Sequence, residues 1–275
     1  MKKQAYTHSF ARIYDDIMSG VPYDFWYRYL QELLAYFGRE PDSILELACG
    51  TGNMSLRFSG KKKDVVGIDI SGEMLNIARQ KAKRKEKNIK FVQSDIRNFS
   101  LERKFALVFS VFDSINYILS LEELDQVFSN VARTVKDNGV FIFDMNTLHR
   151  LLSIEPGTAM FTGDDYSCIW EDRVDHEENK WMVKLKIELE GEEEGYFEEF
   201  HQETSYPLET VKKLLKKNGF MTVKIFRAYS FSSASEKDNR VYFVACKEKT
   251  SFSVLSLLAN FCRKIKWSCW KAFCY

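Results

Sequence analysis

Residues 44–53 read ILELACGTGN, and the run VVGIDIS at 65–71 carries a second apolar stretch into a carboxylate. An apolar run of strand length followed by Gly50 and Gly52 lets the backbone come close to a ligand, because glycine has no Cβ to hold it off. Asp69 would end the neighbouring strand, where a carboxylate can accept both hydroxyls of a ribose. The pairing predicts a nucleoside-bearing cofactor. A dinucleotide site wants a third glycine ahead of a helix N-terminus that cradles the pyrophosphate, and Ser55 stands at that position. Glu46, inside the first strand, would repel phosphate and suits a cationic ligand.

At these residues the chain resembles the class I S-adenosylmethionine-dependent methyltransferases, whose first motif is an acidic residue, two of any type, then CGTG. ELACGTG matches it residue for residue. The cofactor of that family, S-adenosyl-L-methionine, carries a sulfonium and an ammonium but no phosphate. The resemblance continues in SDIRNF, 94–99, where it implies that Asp95 accepts from the adenine amine and that Ile96 packs on the ring, with Ile70 and Met74 beside them. FALVFSVFDSINYI, 105–118, resembles the segment beside the methionine end of the cofactor, and it brings Ser110 and Phe112 into the cofactor set. HSFARIYDDIM, 8–18, is similar to the N-terminal helix of small-molecule members such as sugar N,N-dimethyltransferases and glycine N-methyltransferases. There a tyrosine closes over the sulfonium, and Tyr14 is the matching residue. These motifs cover residues 5–150.

The elements that must position these residues follow from periodicity. Tyr23 to Phe37 has helical spacing and stops at Gly38 and Pro41. Strands are expected at 43–48, 64–69, 89–93, 105–110 and in GVFIFDMN, with helices from 53, over 72–85 and over 121–135. Such alternation implies a parallel sheet with helices on both faces and ligands beyond the carboxyl ends of its strands, where Ala48, Asp69, Asp95 and Ser110 would lie. The cluster KAKRKEKNIK at 81–90 reads as a solvated helix end.

From 158 to 205 the alternation breaks. Trp181, Val183, Leu185, Ile187 and Leu189 recur at every second position, the period of a half-exposed strand. With CIWEDRV before and GYFEEFHQE after, the expectation is a three-stranded antiparallel meander, which in the resembled family is a lid over the substrate; a stabilising flap or a homodimer contact is the alternative. MTVKIFRAYSF and NRVYFVACKE would close one edge of the sheet as an antiparallel pair. The expected fold is α/β, a Rossmann-like doubly wound sheet, mostly parallel with an antiparallel edge strand, plus the inserted lid. Residues 1–249 form that domain and 250–275 a tail with four basic residues and no acids. Its apolar run is shorter than the about 20 residues that cross a bilayer. A membrane surface or a docked protein would suit it, as would packing back on the domain.

Forty basic against 39 acidic residues leave a net charge of +1, so no global basic field holds a polyanion and no nucleic acid is expected. SVFDS stands where amino-directed nucleic-acid methylases carry a proline-rich motif. The six cysteines form no CxxC pair and read as reduced thiols, with no metal site. No apolar run follows the first lysines, which points to the cytoplasm.

Methyl transfer from a sulfonium is an in-line displacement, so positioning in a dry pocket carries most of the catalysis. Tyr14 and His201, in the lid, are the candidate catalytic residues; Asp113, Asn116 and His149 are further candidates for a base, although Asp113 could simply cap the helix after it. The expected activity is methyl transfer to a small-molecule acceptor, at nitrogen rather than oxygen. A cofactor-binding regulatory or scaffold protein, an RNA or protein methyltransferase, and an NAD-dependent oxidoreductase are the alternatives.

Overall fold

A computed structural model describes residues 5–191, 195–250 and 254–274. Two helices open the chain, α1 (His8–Ile17) and α2 (Tyr23–Tyr36). A βα series follows: β1 (Ser43–Leu47), α3 (Asn53–Phe58), β2 (Asp64–Asp69), α4 (Gly72–Arg84), β3 (Ile89–Gln93), β4 (Phe105–Ser110), a 3-10 turn (Ser114–Tyr117), α5 (Leu121–Thr134) and β5 (Val135–Asn146). Every residue of β1 is buried, as expected of a parallel strand covered on both faces. α4 starts where the Ser71 hydroxyl accepts from Met74 N at 3.2 Å, and its last turn gathers Lys81, Lys83 and Arg84 at the negative end of the helix dipole.

Beyond β5 come α6 (Leu148–Leu152) and four strands, β6 (Gly157–Thr162), β7 (Tyr166–Asp175), β8 (Lys180–Leu189) and β9 (Tyr196–Thr204). The chain then returns through α7 (Leu208–Lys217), β10 (Thr222–Arg227), β11 (Arg240–Cys246) and α8 (Val254–Cys274).

The main sheet has seven strands in the order β10-β11-β5-β4-β1-β2-β3. β11 pairs antiparallel with both β5 and β10. The strand that runs against the others is therefore one place in from the edge, and β10, the edge strand itself, runs parallel to the rest. The expected antiparallel pair does close this edge, with β11 rather than the outermost β10 running against the other strands: β11 is buried almost throughout, whereas β10 exposes Lys224 and Arg227. The inserted sheet is also larger than expected, four antiparallel strands in the order β6-β7-β8-β9 rather than three. β6 is exposed along nearly its whole length, so neither face imposes the alternation that would reveal it.

Two cores flank the main sheet. One gathers α5 and α7 against it, with Phe143 and Phe243 stacked at 4.8 Å. The other packs α2, through Tyr29, Leu30 and Leu33, over the opposite face. A third lies between α1 and the inserted sheet, where Phe10 and Ile13 meet Val183, Leu185 and Ile187. This third core carries the inserted sheet and α1 over the strand ends.

α8 packs on α2. Asn260 donates to Tyr36 O at 3.0 Å, Trp267 Nε1 to Tyr229 O at 3.0 Å, and Arg263 pairs with Glu32 at 2.8 Å. Leu258, Phe261 and Ile265 stay exposed on its other side. Among the described residues no helix is long and apolar enough to cross a membrane.

Candidate functional site

A cavity of about 290 Å³ opens at the carboxyl ends of β1, β2 and β4, beside the switch point where β1 lies between strands that follow it in opposite directions. Its floor is the glycine turn. Ala48 and Gly50 both have positive φ, +50° and +51°, so the chain doubles back directly under the cavity. Gly50 N donates to Asp69 Oδ2 at 2.7 Å, and Ser71 N donates to Asp69 Oδ1 at 2.9 Å. Asp69 thus clamps the two strand ends together while its remaining lone pairs face the cavity. Burial pushes its carboxyl up and these backbone donors pull it back.

Glu46 lines the same cavity and is 4% exposed. Its side-chain partner is the Ser55 hydroxyl. Burial pushes the carboxyl up to about 8, against the Ser55 hydrogen bonds. Among the described residues no cation forms an ion pair with it, Lys81 acting only from a distance, so a cationic ligand would stabilise its ionised form.

α1 closes one side. Tyr14 faces the cavity and shares a hydrogen bond with the Tyr23 hydroxyl, and burial pushes its phenol well above the usual range. Asp15, the next residue, ties this helix to the glycine turn. It accepts from Thr51 Oγ1 at 2.7 Å, Asn53 Nδ2 at 2.9 Å and Lys81 Nζ at 2.6 Å. Ile70, Met74, Asp95, Ile96 and Phe112 complete the part of the lining that the sequence indicates.

Three of the expected residues sit elsewhere. Gly52 does not line the cavity; a Cβ there would stand 3.0 Å from Phe91 Cζ and 3.1 Å from Ala78 Cβ, at φ +76°. Its glycine serves the packing of the turn against α4 and β3. Ser110 is fully buried one residue short of the rim, its hydroxyl donating to Leu47 O at 3.3 Å, and Val111 and Phe112 take its place in the lining. His201 lies behind the wall, shielded from the cavity by Tyr6 and Tyr117. Asp95 does reach the cavity, but its carboxylate is held by Arg97 through Nε at 3.0 Å and Nη2 at 2.6 Å. Burial pushes it up and Arg97 more than reverses this, holding it below the usual carboxylate range.

The remaining candidates have structural partners. Asn116 donates to Asn146 O at 3.0 Å and Thr204 O at 2.7 Å, joining the 3-10 turn to β5 and β9. His149 is exposed on α6. Asp113 makes no cap and pairs instead with Arg240 Nη2 at 2.6 Å. Arg240 Nη1 also holds Asp144, whose carboxyl burial lifts to about 6 against the pull of that same arginine. Tyr6, Tyr23, Asn53, Ser114 and Tyr117 line the cavity without having been expected. Tyr6 lies just before the 8–18 motif and Tyr117 inside the 105–118 motif, but nothing in their spacing aims them inward.

Fold and cavity together define a doubly wound α/β protein with a crevice at its switch point. The methyltransferase-domain family matches residues 44–139. YqeM of Bacillus subtilis (strain 168), a protein assigned as a methyltransferase, is 32% identical over 247 residues, covering 89% of this chain and 98% of its own. The crystal structure of an S-adenosylmethionine-dependent methyltransferase from Clostridium acetobutylicum ATCC 824 is 28% identical, with a TM-score of 0.75 over 87% of this chain and 98% of that one. A dTDP-3-amino-3,4,6-trideoxy-alpha-D-glucopyranose N,N-dimethyltransferase of Streptomyces venezuelae is 33% identical over 105 residues, 38% of this chain and 43% of its own. The chain belongs to the S-adenosylmethionine-dependent methyltransferases, and its cofactor is S-adenosyl-L-methionine.

Proposed function

We propose that this protein is an enzyme that transfers a methyl group from S-adenosyl-L-methionine to a nitrogen of a small molecule. The observation that carries this is the buried Glu46, held by Ser55 but in no ion pair among the described residues, in a cavity walled by Tyr6, Tyr14, Tyr23, Phe112 and Tyr117. A carboxylate and aromatic faces suit cations, and both the cofactor and an amine acceptor are cationic. Bound cofactor supplies an electrophilic methyl group whose departure neutralises a positive charge. In this reading Asp69 would hold the ribose, Ile70, Met74 and Ile96 the adenine, and Glu46 the positive charge nearest β1. Tyr14, pinned through α1 by Asp15, would close over the reacting centre.

A small acceptor is supported by the space beneath α1, on which the inserted sheet packs: the cavity measures about 290 Å³, and its wall there comes from Tyr6 and Tyr14 rather than from the inserted strands. The charge of the lining supports an acceptor without phosphate. Among the described lining residues the cation is Arg97, already engaged by Asp95 and Glu123. The Streptomyces relative is named for an amino sugar carried on a nucleotide; here the amino function suits the cavity and a diphosphate does not. The free thiols of the buried Cys49, Cys168 and Cys246 fit a cytoplasmic site of action.

The test is release of S-adenosylhomocysteine from S-adenosyl-L-methionine with a panel of free amino sugars and small amines, each set beside its hydroxyl counterpart. Turnover confined to amines is the expected result. Turnover of the hydroxyl compounds alone would overturn the nitrogen assignment, and tight cofactor binding with no turnover across the panel would favour a scaffold role.

Cofactor affinity should also depend on pH through Glu46. With its carboxyl near 8 in the free protein, the acid is mostly neutral at pH 7, and a cationic ligand prefers the ionised form. Binding should therefore release a proton, and affinity should rise from pH 6 to pH 8 by up to about tenfold per unit. Calorimetry in buffers of different ionisation enthalpy measures that proton directly. Glu46→Gln should bind more weakly and flatten the slope; a slope that survives the substitution assigns the titration to another group.

A further inference from the structure

Tyr6, Tyr117 and His201 come from three separate elements and form a continuous file of polar atoms from the cavity into the inserted sheet. Tyr6 precedes α1, and Tyr117 ends the 3-10 turn after β4; both line the cavity. Tyr6 Oη donates to Tyr117 Oη at 2.9 Å, and Tyr117 Oη lies 3.2 Å from His201 Nδ1. On the far side of the ring, His201 Nε2 stands 3.3 Å from Glu199 Oε2. That approach does not complete a hydrogen bond, so a proton gained by the ring would draw the two together. Glu199 is fully buried and fixed by the backbone N–H groups of Tyr6 and Thr7 at 2.8 and 2.7 Å. Burial pushes the phenols of Tyr6 and Tyr117 well above their usual range, which keeps both as O–H carriers.

We propose that Tyr6, Tyr117 and His201 are a proton path that takes the proton from the acceptor nitrogen before methylation, with His201 as its end and Glu199 as the counter-charge. The proposal rests on the amine reading above. An alkylammonium with a pKa like that of lysine, about 10.4, reaches the site at pH 7 without a lone pair, and the aromatic walls favour that charged form. The acceptor N–H bond breaks and its electron pair stays on nitrogen as the nucleophile. The proton goes to Tyr6 Oη, the Tyr6 proton to Tyr117 Oη, and the Tyr117 proton to His201 Nδ1. One positive charge thus moves from the ammonium to an imidazolium beside Glu199. The other charged or titratable groups near the path include Glu203, two residues along β9, Cys168 on β7, beyond Glu199, and Asp113, which acts on both phenols and is paired with Arg240. Burial and the nearby Asp113 push Glu203 well above the usual carboxyl range and favour its neutral form, so it does not compete for the proton.

Two measurements test the path. In protein labelled with ¹⁵N-histidine, the His201 resonances, assigned by their absence in His201→Gln, should report an unprotonated Nδ1 and a protonated Nε2, and Tyr117→Phe should shift the Nδ1 signal. An Nδ1–H tautomer overturns the proposal, because Tyr117 could then not deliver a proton to that nitrogen. In the second, benzylamine, which arrives protonated, is compared with O-benzylhydroxylamine, which is neutral at pH 7. His201→Gln and Tyr117→Phe should each lower kcat for benzylamine by about 100-fold or more relative to kcat for the neutral probe. Equal losses on both probes would mark a structural role and overturn the path, as would no loss on either. If the wild type methylates neither probe, the acceptor reading fails by itself, and the tautomer still decides the path.

Discussion

Arg240→Met is expected to destabilise the protein by about 3–5 kcal/mol, the cost of leaving buried acids without their cation. The guanidinium is 19% exposed and reaches Asp113 and Asp144 at 2.6 Å each. Asp144 has no exposure at all, and Glu203 contributes a third carboxyl to the same cluster. These residues sit where β11, β5, the loop after β4 and the end of β9 converge, and the ion pairs of the arginine tie β11 to β5 and to the loop after β4. The pH dependence has a definite sign. Asp144 titrates near 6 in the folded protein, above its ordinary 3.8, so the stability linked to its neutral form is complete below about 4 and lost as pH rises through 6. Without Arg240 that folded value climbs further, and the variant's deficit should be largest at pH 7.5 and shrink towards pH 5. Urea unfolding at both pH values measures it. A deficit below about 1 kcal/mol, or one indifferent to pH, would mean that the cluster is solvated as a surface pair is.

Much of this architecture is legible because a parallel sheet covered on both faces writes itself as short apolar runs. ILEL, VVGID and FALVF could hardly be anything else, and the glycine turn and Asp69 follow from their ends. Strand existence is easier to read than strand order. VYFVAC in β11 is continuously apolar, as a central strand should be, whereas Lys224 interrupts β10 in the manner of an edge. That difference is present in the sequence, and it tells which member of the antiparallel pair lies outermost.

β9 defeats the same logic. Glu199, His201 and Glu203 share its inward face, and Phe200 points the other way, with Lys184 Nζ 5.4 Å from the ring centroid. Hydropathy alone would turn that strand inside out. Glu199 and His201 are tolerated there because their partners arrive from distant segments: Tyr6 and Thr7 for Glu199, Tyr117 for His201. Contacts between residues 84 to 193 positions apart leave no local trace. Gly52 and Ser110 illustrate the opposite limit, in which a motif names the right neighbourhood but one residue of register decides whether a side chain meets ligand or core.

Asp69→Ala is expected to weaken cofactor binding by about tenfold or more, since hydrogen bonds to a charged group contribute roughly 1.5–3 kcal/mol. The geometry adds a second loss, because Asp69 also accepts from Gly50 N and Ser71 N. Truncation leaves two donors without their acceptor, at a cost of about 1–3 kcal/mol for each that stays buried, so thermal stability should fall with affinity. A ligand-side deletion separates the two effects. S-adenosylhomocysteine and its 2′,3′-dideoxy analogue, titrated into wild type and variant, close a double-mutant cycle in which only the ribose contact couples. If the carboxylate grips the sugar hydroxyls, the wild type loses most of its affinity for the dideoxy compound, whereas the variant binds both ligands alike. If Asp69 serves only to fold the turn, the substitution costs the same for both ligands and the ribose assignment falls.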